Sequence, residues 1–250
     1  NGDIDLSQIN LNNISKVEII EGPLSVDFGT DALAGTINLI TNKDSKNTFS
    51  SSYNLFYESV GNYNADLSLS YSLKNHYIGL DVGRKYFDGW SVNDDFTLFP
   101  ISEPADTNRT KSWNPKEQYF GKIQYKFNTN QNTYRIYYDI YDEKITNLGY
   151  PRLPYFESAF DDYYLTKRNN LGFDIDYNLN EFKKIKILSS YNDYKRIKNT
   201  YYKDLTTLEE ILTNSSSDQD TSRFNLFMNK LVFSSFSNEL INYQIGFDSK

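Results

Sequence analysis

A single histidine and no cysteine set the chemical range of this 250-residue chain. His76 stands beside Lys74-Asn75, a turn dipeptide, so a metal site there would have to be completed by carboxylates around one imidazole. The residue reads as part of the turn, and no resident metal is expected. The acidic pairs Asp94-Asp95, Asp161-Asp162, Glu209-Glu210 and Asp218 with Asp220 lack the ligand spacing of a calcium loop and read as solvated loop charge. No Ser/His/Asp set, phosphate-cradling glycine loop or paired-carboxylate motif occurs, so neither an enzyme nor a bound cofactor is expected. The formal net charge is −7 and Lys and Arg are not clustered, which argues against nucleic acid as a partner, because phosphate binding needs a basic patch. The lack of cysteine removes disulfides and thiolate chemistry without identifying a compartment.

What remains is aromatic chemistry. The chain holds 22 Tyr and 17 Phe at a mean hydropathy of −0.65, so aromatic surface is plentiful without the aliphatic residues of a compact interior. Two stretches are densest in rings. One contains Trp90, Phe96, Phe99 and Trp113 amid Arg109 and Lys111; the other runs Tyr150-Pro151-Arg152-Leu153-Pro154-Tyr155-Phe156 and on to Phe160 and Tyr163-Tyr164. Phe96, Phe99, Trp113, Tyr150, Tyr155, Phe156 and Phe160 have two readings. They form an interfacial girdle or pack their own loops, or they stack on the flat face of an extracellular ligand.

The elements that must position these rings are strands. Tyr63, Ala65, Leu67, Leu69, Tyr71 and Leu73 alternate with Asn64, Asp66, Ser68, Ser70, Ser72 and Lys74, one apolar face against one polar face. The same period recurs in 119–127 and 171–178. Strands are expected at about 48–58, 62–73, 76–90, 116–127, 132–145, 167–178, 183–199, 222–236 and 240–250. Short turns fall near 74–75, 128–132, 179–182 and 237–239, and long loops at about 91–115, 146–166 and 200–221. Among the outer connectors only the one near 59–61 is short. Thr206-Thr207-Leu208-Glu209-Glu210 has capping-box spacing, which predicts one or two helical turns. No run approaches the roughly 18 apolar residues of a spanning helix, but alternating strands cross a bilayer at low average hydropathy. Tight turns at one end and long loops at the other are the mark of an up-and-down outer-membrane β-barrel, with Asp66, Ser68, Lys122, Gln124, Asp174 and Asp176 facing a polar lumen. Single-chain bacterial barrels close with even strand numbers, and eight strands leave no room for a domain inside. The nine strands are therefore expected to be part of a larger barrel, with the chain continuing beyond both Asn1 and Lys250.

Residues 14–43 carry a more specific signal. Physically they read as a strand (Val17 to Ile20), a Glu21-Gly22-Pro23 turn, a short helical or turn segment over Leu24 to Phe28 ended by Gly29, and a second strand (Thr36 to Thr41), a small mixed α/β unit. At fixed spacing, Ile14, Val17-Glu18-Ile19-Ile20, Gly22-Pro23, Ser25, Phe28-Gly29, Ala32, Ala34-Gly35 and Ile37-Asn38-Leu39-Ile40-Thr41 closely resemble the end of the plug domain of TonB-dependent outer-membrane receptors. The resemblance implies the C-terminal part of a plug in 1–43, with Glu18, Gly22, Pro23, Phe28, Gly29, Gly35 and Asn38 as structural motif residues, and the N-terminal part of a 22-stranded transmembrane barrel in 44–250. It further implies residence in the outer membrane of a Gram-negative bacterium amid its lipid, active uptake of a scarce small-molecule ligand, most often a ferric siderophore, and TonB with its inner-membrane energising complex as partner. Glu21 departs from the Arg or Lys of many relatives, and Gly22-Pro23 resembles the siderophore, haem and cobalamin group rather than the glycan importers. A passive porin or a surface adhesin would account for the strands but leave residues 1–43 without a purpose.

Overall fold

The computed structural model describes residues 6–10, 14–21, 35–41, 48–91, 109, 111–236 and 242–250. Strands β1 (Ile14–Glu21) and β2 (Gly35–Thr41) pair antiparallel, Glu18 opposite Asn38, with a register shift between Ile14 and Lys16. A 3-10 turn, Leu6–Gln8, precedes them. Gly22, Pro23, Phe28 and Gly29 lie outside the described residues, as does the turn or helix expected over 24–28.

The rest is one antiparallel sheet of β3 (Phe49–Glu58), β4 (Asn62–Leu73), β5 (His76–Phe87), β6 (Lys116–Asn128), β7 (Asn132–Leu148), β8 (Ser158–Asn178), β9 (Lys183–Asp204), β11 (Asp220–Phe236) and β12 (Asn242–Ser249), each strand beside its neighbour in sequence. A three-residue strand, β10 (Glu210–Leu212), folds back onto the end of β9. Consecutive order with no crossover is the up-and-down topology that alternation predicted.

The sheet is built inside out relative to a soluble protein. Leu67, Leu69, Ile78, Leu80, Ile123, Ile136, Leu171, Phe173, Leu231 and Phe233 share one face by register. Most of them are exposed: Tyr53, on the same face of β3, is 80% exposed. The opposite, inner face carries Asp66, Gln118, Glu143 and Thr166, all buried. Asp66, Ser68, Lys122, Gln124, Asp174 and Asp176 all fall on this inner face, as their parity requires. Glycines let large inner side chains lie flat: the ring of Tyr137 occupies the space a Cβ at Gly172 would need.

Connectors differ in kind at the two ends. At the short-turn end Lys74 adopts a left-handed φ of 51° in the two-residue β4–β5 link. At the other end the three-residue β3–β4 link closes with Gly61 at φ 82°, its N–H donating to Glu58 O at 3.0 Å.

Three expectations are corrected. Residues 158–166 form the first part of β8 rather than loop, and β9 runs on to Asp204, so the links there shrink to 149–157 and 205–219, the latter holding β10. Over 206–212 there is a turn and then β10 instead of helix. Asp204 accepts the N–H groups of both Thr206 (2.8 Å) and Thr207 (2.9 Å), forming a side-chain-closed turn before Thr206 can act as a helix cap, and Leu208 takes a φ of 65°. Finally, Asp161-Asp162 is not solvated: Asp161 is fully buried against Arg109, and Asp162 accepts from the Thr200 hydroxyl at 2.5 Å with Lys198 at 3.4 Å.

Candidate functional site

The N-terminal segment lies against the inner face and is held there by polar contacts from three strands. Asn10 donates to Asp66 at 3.1 Å, Lys116 to the Ser7 hydroxyl at 3.0 Å, and the Arg168 guanidinium to Gln8 O at 3.0 Å. Gln118 is buried between Ser7 O, the Tyr141 hydroxyl (2.9 Å) and the Glu143 carboxylate (2.8 Å). These donors sit at every second residue of their strands, so period-two geometry alone aims them at the segment. Between segment and wall lies a cavity of about 370 Å³ lined by Ile9, Asn10, Asp81, Lys122, Asp139 and Arg168.

Towards the long-connector end the inner wall changes from ionic to aromatic and cationic. Arg168 lies 5.2 Å from the Tyr141 ring centre, Arg196 lies 5.4 Å from that of Tyr164, and Tyr194 stacks on Phe224 at 4.8 Å. The two guanidinium groups thus set positive charge beside ring surface at this level of the wall. Below them the wall is neutralised internally: Lys122 faces Asp139 at 3.7 Å, Lys184 faces Asp176 at 3.0 Å, and Arg135 is paired with Asp174. Arg168, Arg196, Tyr194 and Phe224 were not among the expected site residues. Their signal lies in parity, since Asn192, Tyr194 and Arg196 share the lumen side of β9, whereas ring density alone points to the loops.

The loop aromatics divide. Phe96 and Phe99 lie outside the described residues. Trp113 packs on Trp90 at 5.1 Å through an isolated antiparallel bridge that continues the β5–β6 pair, and it is 54% exposed. Tyr150 and Tyr155 are exposed in the 149–157 link, where Phe156 has a φ of 58° and donates to Arg152 O at 2.9 Å. Phe160 belongs to β8, edge-on to Tyr202 at 6.0 Å and under the Arg152 guanidinium at 4.5 Å. The structure thus places Trp113 and Phe160 on different strand pairs, each with a packing partner.

Arg109 crosses to the outer face of β8. Its guanidinium binds Asp161 and donates to Gly149 O at 2.9 Å, while Gly149 N donates to Asp161 at 3.2 Å. Burial pushes the Asp161 carboxyl up, and Arg109 opposes that rise. Beside it, burial and then the Glu210 carboxylate push the Tyr163 phenol up, and its hydroxyl donates to Glu210 at 3.2 Å. In the β1–β2 pair Glu18 is held below the usual carboxylate range by Lys16 (2.6 Å) and the Asn38 amide (3.1 Å).

The nine-stranded meander, with its apolar exterior, resembles solved structures over nearly the whole length of the chain. The ferric preacinetobactin receptor BauA from Acinetobacter baumannii superposes with a TM-score of 0.52 at 14% identity, covering 93% of this chain and 46% of the receptor. The fold is that of a TonB-dependent receptor. This chain spans about half the length of the structures it matches. The copper transporter OprC (TM-score 0.45, 11% identity, 97% of this chain and 47% of that one) and the ferric yersiniabactin uptake receptor FyuA from Yersinia pestis (0.31, 11%, 89% and 50%) are also similar. No family profile matches the sequence.

Proposed function

We propose that the chain is part of an outer-membrane receptor for active uptake of a scarce metal chelate, most simply a ferric siderophore. In this reading residues 1–43 are the end of a plug, 44–250 the first part of the barrel, the short-turn end faces the periplasm, and TonB drives the plug. The observation that carries it is the seating of residues 7–10 on the polar face by Asp66, Lys116, Gln118 and Arg168. A passive porin has no reason to fill its own lumen. The aromatic and cationic wall of Arg168, Tyr141, Arg196 and Tyr164 supports an anionic chelate as cargo, and the receptor of similar fold carries a ferric one. Plug motif residues Gly22, Pro23, Phe28, Gly29 and Gly35 are assigned a packing role, and Phe96, Phe99, Trp113, Tyr150, Tyr155, Phe156 and Phe160 a role around the extracellular mouth.

The test is uptake of radiolabelled ferric chelates by cells expressing the native protein, compared with a deletion strain, with and without TonB and with a protonophore. The reading expects accumulation of at least one chelate that collapses without TonB or the proton gradient. Accumulation indifferent to both would leave the porin reading standing.

A further inference from the structure

Gln118 stands among more acceptors than it can serve. Its amide nitrogen carries two hydrogens, yet three acceptors lie within reach: the Glu143 carboxylate at 2.8 Å, the Tyr141 hydroxyl at 2.9 Å and Ser7 O at 3.4 Å. Gln118 is 3% exposed and Glu143 2%, so bulk water does not make up the deficit. The distances rank the claims. A charged acceptor forms the stronger bond, and the wall takes both short contacts while the segment keeps the long one. Register brings the competitors together: Gln118 lies directly opposite Glu143, and Tyr141 precedes Glu143 by two residues on the same inner face of β7. The Tyr141 ring is held in place by Phe120, 5.2 Å away, and by the Arg168 guanidinium, also at 5.2 Å.

The other wall contacts to the segment are not contested in this way. Asn10 donates to Asp66 at 3.1 Å and Arg168 to Gln8 O at 3.0 Å, whereas at Ser7 the wall offers the long Gln118 contact and the Lys116 ammonium, a point charge on a flexible stem, 3.0 Å from the hydroxyl. We propose that Glu143, together with Tyr141, is a positioning residue for plug release. It acts through Gln118: by drawing the amide hydrogens to the wall it leaves Ser7 O lightly held, so this end of the seat gives way under less pull than a fully bonded one. The proposal rests on the reading of residues 7–10 as part of a plug. Its consequence runs against the usual effect of trimming a buried polar group, which loosens the surroundings. Removing either competitor frees a hydrogen for Ser7 O and tightens the seat.

The test needs no cargo. In the full-length protein, inserted in phosphatidylcholine vesicles, Ile9→Cys places a thiol at the cavity between segment and wall, within 250 residues that hold no cysteine. Its rate of labelling by a charged methanethiosulfonate reports how often the segment lifts. Labelling as fast as in the urea-unfolded protein would mean that residues 7–10 are not seated, which overturns the plug reading and this proposal with it. Against a slow rate in the Ile9→Cys parent, adding Glu143→Met or Tyr141→Phe is expected to slow labelling about two- to tenfold, the worth of one neutral hydrogen bond. Gln118→Met is expected to speed it, and in that background neither of the other substitutions should have a further effect. Tyr141→Phe keeps the ring and decides the matter if Glu143→Met does not insert. Unchanged or faster labelling in the competitor variants that insert, or the same slowing in the absence of Gln118, would overturn the proposal while leaving the plug reading in place.

Discussion

Arg109 and Asp161 have no exposed side-chain surface and are paired with each other. Removing one partner of a buried pair leaves the other charge without compensation, so Arg109→Ala is expected to destabilise its surroundings by about 3–5 kcal/mol, whereas Arg109→Met with Asp161→Leu recovers most of it. Native-state proteolysis of the 149–157 link compares the single and double variants. A pH effect belongs to Asp204, whose carboxylate accepts from Thr206 and Thr207 and is thereby held down to about 2. With a depressed folded value, its contribution is fully present above the ordinary Asp value of about 3.9 and is lost as pH falls through about 2. Hydrogen exchange at the Thr206 and Thr207 amides should stay slow at pH 5 and quicken across that window; in Asp204→Ala it should be fast throughout. In the sequence Asp161 reads as solvated loop charge and Arg109 as one cation amid loop aromatics. Nothing local to Asp161 announces Arg109, 52 residues away, whereas Asp204-Leu205-Thr206-Thr207 was readable as a side-chain turn and lost to the overlapping capping-box pattern.

At the level of strands, legibility followed the environment. β4 occupies 62–73 as alternation predicted, because an apolar solvent on one side and a polar lumen on the other impose opposite residue types at successive positions. Beyond the belt both faces meet polar surroundings, alternation is no longer enforced, and Ser158-Ala159-Phe160-Asp161-Asp162-Tyr163-Tyr164 reads as loop while pairing strand for strand with 198–204. The same asymmetry sets the outcome of substitution. Leu67→Lys puts a charge on the belt and is expected to cost about 2–4 kcal/mol, whereas Ser68→Lys, one residue away on the inner face, should cost a small fraction of that. Urea unfolding from lipid vesicles distinguishes the two; equal costs would mean that the faces have been assigned the wrong way round.

For the whole molecule, fold class and topology were readable from period and connector length, and the family likeness from thirty residues. The aromatic and cationic wall was not, because it is assembled from β7, β8, β9 and β11, whose contributing residues are ordinary when taken one strand at a time. If Arg168 and Arg196 face an anionic cargo, Arg168→Gln with Arg196→Gln should raise the half-saturating chelate concentration by about tenfold or more, since hydrogen bonds to charged groups contribute about 1.5–3 kcal/mol and 1.4 kcal/mol is tenfold. Surface abundance measured in parallel should be unchanged; a fall in abundance that accounted for the whole effect would reduce the two arginines to wall-builders.

β8 and β9 run 21 and 22 residues, nearly twice the 12 of β4 and β5. At about 3.3 Å per residue their excess amounts to roughly 30 Å of hydrogen-bonded ribbon. If the long-connector end faces out of the cell, as proposed, β8 and β9 stand as an upright fin above the level at which β3 and β4 end. Antibodies or phage that recognise it will read a folded epitope spanning two strands, one that short linear peptides from 158–166 or 197–204 will not reproduce.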